Sequence, residues 1–249
     1  MVPTSTSPTS WAPTLGRSVR LFNAFLVEQT DRDQFYETLA ADSVGQLGEY
    51  CQLDQAVVVD IGGGPGYFKQ AFERAGSRYI GVEADVGELS MRGQIEPGSV
   101  LGSGFVLPFR DSCADVSYSS NVLEHVDEPW RVVDEMVRVT RPGGTIFVSY
   151  NTWWSPNGGH ETAPWHYLGG EYAARRYTRR RGHEPKNRYG RTLFPLDVRS
   201  GLRYARRVAG VDVVDAVPRY HPRWARWIVR VPGVREVGTW NLVLVLKKR

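Results

Sequence analysis

The sequence predicts an α/β fold built on a doubly wound, mostly parallel sheet, and three observations carry that reading. Short β-branched runs recur along the chain, amphipathic segments of helical period separate them, and the first run ends in a glycine-rich turn. Alternating strands and helices favour parallel pairing with right-handed crossovers. Seven strands are read, at 56–60, 79–83, 99–101, 115–119, 145–150, 211–217 and 240–246.

The elements follow in chain order. Residues 1–16 hold seven Ser or Thr and three Pro, with no basic start and no apolar stretch. They read as a disordered tail and not as a secretory signal, which leaves 17–249 as the domain. From 17 to 52 apolar residues fall at helical spacing, at Leu21, Phe22, Phe25 and Leu26, then at Phe35, Leu39, Val44 and Leu47. Ala56-Val57-Val58-Val59-Asp60 suits a strand buried on both faces. A helix over 67–75 follows its turn and stops at Gly76. Segment 129–140 has Trp130, Val133 and Val137 on one stripe beside Val132, Met136 and Val139, a broad apolar face for packing on a sheet. Arg141-Pro142-Gly143-Gly144 breaks it before the fifth strand. Residues 151–192 are rich in Trp, Gly, Pro, His and Arg with little periodicity, and read as an insertion or lid on the substrate side. A helix over 196–208 leads to the sixth strand, and Pro232 and Gly233 leave 224–237 too broken for one long helix.

The 249 residues suit one domain, and an apolar share of 41% with a charged share of 23% is globular. No apolar run approaches the ~18 residues of a membrane span. Cys51 and Cys113 lie far apart without CxxC spacing, which disfavours a zinc site or a disulfide framework and fits a reducing cytoplasm. The net charge of +4 hides a balance of −11 over residues 1–172 and +15 over 173–249. Residues 175–191 hold eight Lys or Arg against one acid, and Trp224, Trp227 and Ile228 interleave with Arg223, Arg226 and Arg230. Such a face suits an anionic membrane surface or a phosphorylated substrate, or is a solvated surface covering the sheet. No RNA-binding motif accompanies it, so nucleic acid is not an expected partner.

The turn after the first strand carries the chemistry. Residues 57–66 read Val-Val-Val-Asp-Ile-Gly-Gly-Gly-Pro-Gly. Glycines at 62, 64 and 66 allow a sharp bend and let a ligand lie against the backbone. The helix start beyond it offers unpaired N–H groups and a partial positive charge. The second strand ends in Glu83, an acid able to accept from both ribose hydroxyls of an adenosine. Nicotinamide or flavin dinucleotides and S-adenosylmethionine both use such a turn. The dinucleotide pattern needs G-x-G-x-x-G, whereas the spacing here is G-x-G-x-G. Asp60, so near the loop, would repel a pyrophosphate but suits the ammonium of a methionine moiety.

Asp-Ile-Gly-Gly-Gly-Pro-Gly at 60–66 resembles the first motif of class I S-adenosylmethionine-dependent methyltransferases. Gly-Val-Glu-Ala-Asp at 81–85 resembles their acidic second motif, residues 107–126 their fourth-strand signature, and Val-Thr-Arg-Pro-Gly-Gly-Thr at 139–145 the turn before their fifth strand. These blocks stand in family order over 56–150, and the chain is similar to the small-molecule type related to quinone-biosynthesis methyltransferases. The resemblance implies a Rossmann-like seven-stranded sheet with an antiparallel last strand, and S-adenosyl-L-methionine as cofactor. By position, Asp60 would bind the methionine end directly or through water. Gly62, Gly63, Gly64 and Gly66 would form the loop beneath the cofactor. Glu83 would hold the ribose with Ala84 packing on the adenine, and Asn121 and Leu123 would line the methionine and sulfonium. Where relatives carry Gly-Asp-Ala before Leu-Pro-Phe, this chain has Gly102-Ser103-Gly104, so Ser103 replaces a carboxylate at the adenine amino group.

A neutral hydroxyl nucleophile needs a base, usually histidine. His125, after the fourth strand, and His160 and His166, in the insertion, are the candidates, with Glu161 placed to orient His160. Bracing the turn, for His125, and packing, for the loop histidines, are the competing roles. His183 and His221 look like surface residues. Trp153, Trp154, Trp165 and Tyr167 suit an aromatic wall for a sugar, ring or lipid, or a plug holding the insertion down. The expected activity is methyl transfer to a small or lipid-linked acceptor, with oxygen favoured, in the cytoplasm or at a membrane periphery, and without a metal. The alternatives are a nicotinamide-dependent oxidoreductase and a non-catalytic S-adenosylmethionine-binding protein.

Overall fold

Strand β1 (Val57–Ile61) pairs in parallel with β2 (Arg78–Glu83), from Val57 opposite Arg78 to Ile61 opposite Val82. The computed structural model describes residues 11–27, 30–93 and 95–249. Among these, β3 (Ser99–Leu101), β4 (Ala114–Ser120), β5 (Thr140–Asn151), β6 (Val211–Pro218) and β7 (Asn241–Lys248) complete a seven-stranded sheet of order β3-β2-β1-β4-β5-β7-β6. Only β7 runs antiparallel among these strands, against both β5 and β6.

Side chains alternate between the two faces of the sheet, as the strand period demands. Val58, Tyr118, Phe147, Val243 and Val245 pack under α2 (Arg32–Gly48) and α3 (Lys69–Arg74) through Leu39, Leu47 and Phe72. Val59, Ile61, Ile146, Val148 and Leu244 face the other way, toward α5 (Pro129–Val139) and α7 (Val198–Arg207) through Val132, Val133, Met136 and Ala205. The chain leaves β1 in one direction and returns to β4 on its other side. That switch leaves a crevice beyond their C-terminal ends.

Four expectations are corrected. The helical stretch 17–52 is two helices, α1 (Leu15–Leu26) and α2, because Asp31 caps a new start by accepting from the Gln34 amide. The tail expected over 1–16 does not extend through 11–16: Trp11 Nε1 donates to Asp42, Thr14 caps α1, and the Pro13 carbonyl accepts from the Arg223 amide at 2.7 Å. Residues 1–10 lie outside the described residues. The stretch 141–144, expected to precede the fifth strand, is instead a bulged part of β5, which already pairs at Thr140 opposite Ala114 before resuming at Thr145 opposite Val116. Finally, the segment 151–192 contains a twelve-residue helix, α6 (Gly170–Arg181). It buries only Gly170, Ala173 and Ala174, too narrow a stripe to show as periodicity.

Candidate active site

Gly62, Gly64 and Gly66, in the turn after β1, take φ of +77°, +52° and +84°, which side-chain-bearing residues rarely adopt. A Cβ on Gly62 would lie 2.2 Å from Val122 Cγ2, so glycine here lets the β1 turn touch the turn after β4. A Cβ on Gly64 would meet open space, which leaves that stretch of backbone uncovered. At the end of β2, Glu83 accepts from the amides of Gly64 at 3.2 Å, Ala84 at 2.8 Å and Asp85 at 3.2 Å. Ala84 is exposed, as are Val86 in α4 (Val86–Leu89) and Leu101, which pairs with Glu83 from β3. An uncovered glycine turn, a carboxylate one strand over and an apolar patch beside it fit an adenosine with a sulfonium tail. Ser103 accepts from the Phe105 amide at 3.2 Å, which commits one of its two lone pairs to a tight turn of its own.

Asp60 lies beneath this crevice. It is 2% exposed and accepts the Tyr79 hydroxyl at 2.7 Å. A Cβ on Gly63 would meet that same hydroxyl at 2.8 Å, so Tyr79 and Asp60 together buttress the turn. Asp60 thus commits Oδ2 to Tyr79 beneath the turn, while its role at the methionine end, direct or through water, rests on the resemblance. Burial, helped by the charge of Glu83 and opposed by the Tyr79 hydrogen bond, pushes its carboxyl up to about 7. A carboxyl with a raised folded-state pKa favours folding while protonated, and that stability drains as pH rises from about 4 through about 7. Asp60→Asn keeps an acceptor for Tyr79 without the charge. Its stability relative to wild type should therefore rise by about 3 kcal/mol between about pH 5 and about pH 8. Parallel urea unfolding curves at the two pH values test this, and an unchanged difference would mean that Asp60 ionises freely.

The turn after β4 supplies the other wall. Asn121 has φ +57°, and its Oδ1 accepts from Asn241 Nδ2 at 2.7 Å, which also reaches Asn151 Oδ1 at 3.1 Å. The three amides tie together the ends of β4, β5 and β7. Sequence reading missed Asn151 and Asn241, since their meeting depends on the antiparallel return of β7. It also missed Arg219, 1% exposed, which donates to Ser120 at 2.7 Å and Ser149 at 2.8 Å and contacts Ser43. The buried serines on β4 and β5 were the available signal.

Leu123 is fully buried. Glu124, 2% exposed, accepts from the Asn151 amide at 3.0 Å through Oε1, while Oε2 is sealed from solvent without a partner among the described residues. Burial raises its carboxyl above the usual range. His125 Nδ1 sits 2.8 Å from the Thr192 carbonyl, which places the proton on that nitrogen. The His160 ring lies 5.0 Å from that of His125, and its Nε2 is buried without a partner among the described residues. Burial, then the neighbouring His125 and His166, pushes His160 down to about 3, so its ring is neutral. His166, a neighbour of His160 outside this cluster, is 1% exposed and packs against Trp153 and Tyr167 with Nε2 at 3.2 Å from the Ser155 carbonyl. Glu161 does not orient His160: both its oxygens accept from Asn187 Nδ2 at 3.0 Å. His183 is exposed as expected, but His221 is half-buried against Trp240.

Residues 151–192 bridge the two walls. Thr192 holds His125 near β4, and Lys186 Nζ reaches Glu88 in α4 at 2.8 Å. Trp153 is buried, His166 joins it to Tyr167, Tyr167 stacks with Trp154 at 6.5 Å, and Arg176 covers Trp165 at 3.8 Å. The basic run is partly neutralised, with Arg175 and Arg188 on Glu171 and Arg191 on Glu184.

The strand order with its single reversed strand, and a glycine turn facing an acid on the next strand, define a class I, Rossmann-like nucleoside-binding enzyme. Comparison with known proteins says which. Residues 59–148 match the family described as a methyltransferase domain. An uncharacterized methyltransferase of Mycolicibacterium gilvum (strain PYR-GCK) is 51% identical over 244 residues, covering 94% of this chain and 95% of that protein. One of Mycobacterium tuberculosis (strain ATCC 25177 / H37Ra) is 48% identical over 244 residues, with the same coverage of 94% and 95%. Among solved structures, an S-adenosylmethionine-dependent methyltransferase from Mesorhizobium loti has a TM-score of 0.57 at 16% identity, covering 86% of this chain and 98% of that one. The chain belongs to the methyltransferase family, and it is an S-adenosyl-L-methionine-dependent methyltransferase.

Proposed function

We propose that the enzyme methylates a hydroxyl oxygen of a small or lipid-linked acceptor, held between the turn after β4 and residues 151–192. The observation that carries this reading is the meeting of Glu124, His125 and His160, whose ligand atoms lie within 4.8 Å of one another. A hydroxyl must lose its proton, and His125, its Nδ1 held by the Thr192 carbonyl, offers a free Nε2 lone pair beside Glu124 and the neutral His160 ring to assist that loss. The bound cofactor supplies a methyl group already activated by its sulfonium. The protein's part is alignment of acceptor and methyl at ~3 Å. In this reading Glu83 and the 62–66 turn hold the nucleoside, Ala84 meets the adenine, and Asn121 and Leu123 shape the wall beside the sulfonium. A cleft lined by Leu123, Val126, Trp130, Phe194 and Leu196, and also by Asp127, Glu128, Arg131 and Asp197, adjoins that wall and suits an acceptor with both apolar and polar parts.

The lipid-linked form draws support from an exposed apolar stripe on α1, made of Leu15, Val19, Phe22 and Leu26. Trp224 and Trp227 are exposed on the segment that Arg223 ties to Pro13, with Arg230 on that same segment. Apolar residues rimmed by arginine suit an anionic membrane surface. No described helix is long and apolar enough to cross a membrane.

The test is S-adenosylhomocysteine release with matched hydroxyl and amine acceptors on aromatic, sugar and prenyl scaffolds, each with and without phosphatidylglycerol vesicles. Turnover of hydroxyl compounds, stimulated by vesicles for the prenyl ones, is expected. Turnover confined to amines or to carbon nucleophiles would overturn the proposal.

A further inference from the structure

We propose that Glu124, His125 and His160 form a binding site for one divalent transition-metal ion, of the zinc class. Each residue offers one ligand atom, and these atoms all lie within 4.8 Å of one another. A second, independent observation points to a ligand. Glu124 is 2% exposed, and its Oε2 has no hydrogen-bond partner among the described residues, although Oε1 is held by the Asn151 amide. His160 Nε2 is likewise buried without a partner among those residues. Leaving either polar atom unsatisfied is costly, and one ion between them would satisfy both.

The supporting contacts are those of metal ligands. His125 Nδ1 faces the Thr192 carbonyl at 2.8 Å. Such an outer contact sets the tautomer and turns the Nε2 lone pair toward an ion. The Glu124 main chain is fixed by the Phe194 amide, which donates to its carbonyl at 2.8 Å. The backbone of His160 takes φ +47°, unusual for a residue with a side chain, in presenting its ring to His125. Two imidazoles and one carboxylate suit zinc or a similar first-row ion, whereas calcium and magnesium prefer all-oxygen sites. Three protein ligands leave a coordination position free.

That position would take the acceptor oxygen, a role that rests on the proposed hydroxyl substrate, whereas metal binding does not. On coordination the acceptor hydroxyl loses its proton to water. Its oxygen electron pair then forms the bond to the methyl carbon as the carbon–sulfur bond breaks. The electron pair of that bond stays on sulfur, giving a methyl ether, S-adenosylhomocysteine and one proton. No redox change occurs.

The experiment uses the full chain without an affinity tag, stripped with a chelator and titrated with Co2+ and Zn2+. One Co2+ per chain is expected, with visible absorption bands that one equivalent of Zn2+ abolishes. His160→Gln and Glu124→Gln should each weaken binding at least about a hundredfold, since losing only an outer partner of a ligand costs about 10–100-fold. Unchanged affinity of these variants for S-adenosylhomocysteine shows that they fold. Absence of Co2+ bands in the wild type, or equal Co2+ affinity in folded variants, would overturn the site. If the ion binds but the chelated enzyme methylates hydroxyl acceptors at an unchanged rate, the catalytic part of the inference fails. If the ion binds and only amines react, the proposed acceptor fails while the site stands.

Discussion

Replacing Glu83 by Ala should weaken S-adenosylhomocysteine binding about a hundredfold while the protein stays folded. Hydrogen bonds to a charged group contribute about 1.5–3 kcal/mol each, so losing two from a ribose costs at least about 3 kcal/mol. The same substitution also frees the Gly64, Ala84 and Asp85 amides that Glu83 now accepts from, which loosens the turn and the start of α4. Glu83→Gln keeps one acceptor oxygen and should fall between the two, about tenfold weaker than wild type. Calorimetric titration reads both. A loss below about threefold in the Ala variant, under 1 kcal/mol, would remove Glu83 from the nucleoside site.

The largest expected loss of stability comes from Arg17→Ala. Arg17 Nε and Nη2 donate to the two Asp42 oxygens at 2.7 and 2.6 Å, and its Nη1 donates to the Arg219 carbonyl at 2.8 Å. The side chains are 3% and 1% exposed. Removing one partner of a buried pair leaves the other charge uncompensated and costs about 3–5 kcal/mol. For a chain of this length that is a fall in Tm of about 6–20 °C. Arg20, 3.8 Å from Asp42 but 64% exposed, compensates little. Replacing both members with apolar residues, Arg17→Met with Asp42→Leu, should recover most of the loss, because the burial of charge disappears with the pair. Thermal melts of the single and double variants check this; a double variant no better than Arg17→Ala would place the cost in packing against Trp11, whose ring Arg17 covers at 4.7 Å.

Much of the fold is legible in the chain because the signals are local. A β-branched run such as Val57-Val58-Val59 favours an extended, two-sided buried strand, and alternation along Phe147 and Ile146 assigns each side chain to a face. Positive φ at Gly62, Gly64 and Gly66 is a backbone requirement that few other residues meet, so the glycine turn stands out in sequence, with Glu83 closing the next strand. What was missed lacks such signals. Helix α6 is polar on most of its surface, so its period is faint. The pairing of Glu161 with Asn187, in place of His160, spans 26 positions that no spacing rule connects.

The amino-acid sequence alone determined the strands, the glycine turn and the acid that ends β2, and the resemblance carried by those motifs pointed to the cofactor class; the strands and the turn follow from conformational limits of a few neighbouring residues. Only the tertiary structure decided that Asp60 sits under the turn on Tyr79, and that His160 comes to Glu124 and His125 while His166 packs against Trp153. Those meetings depend on where residues 151–192 fold back, through Thr192 to His125 and Lys186 to Glu88, and such long-range contacts leave no trace in local spacing.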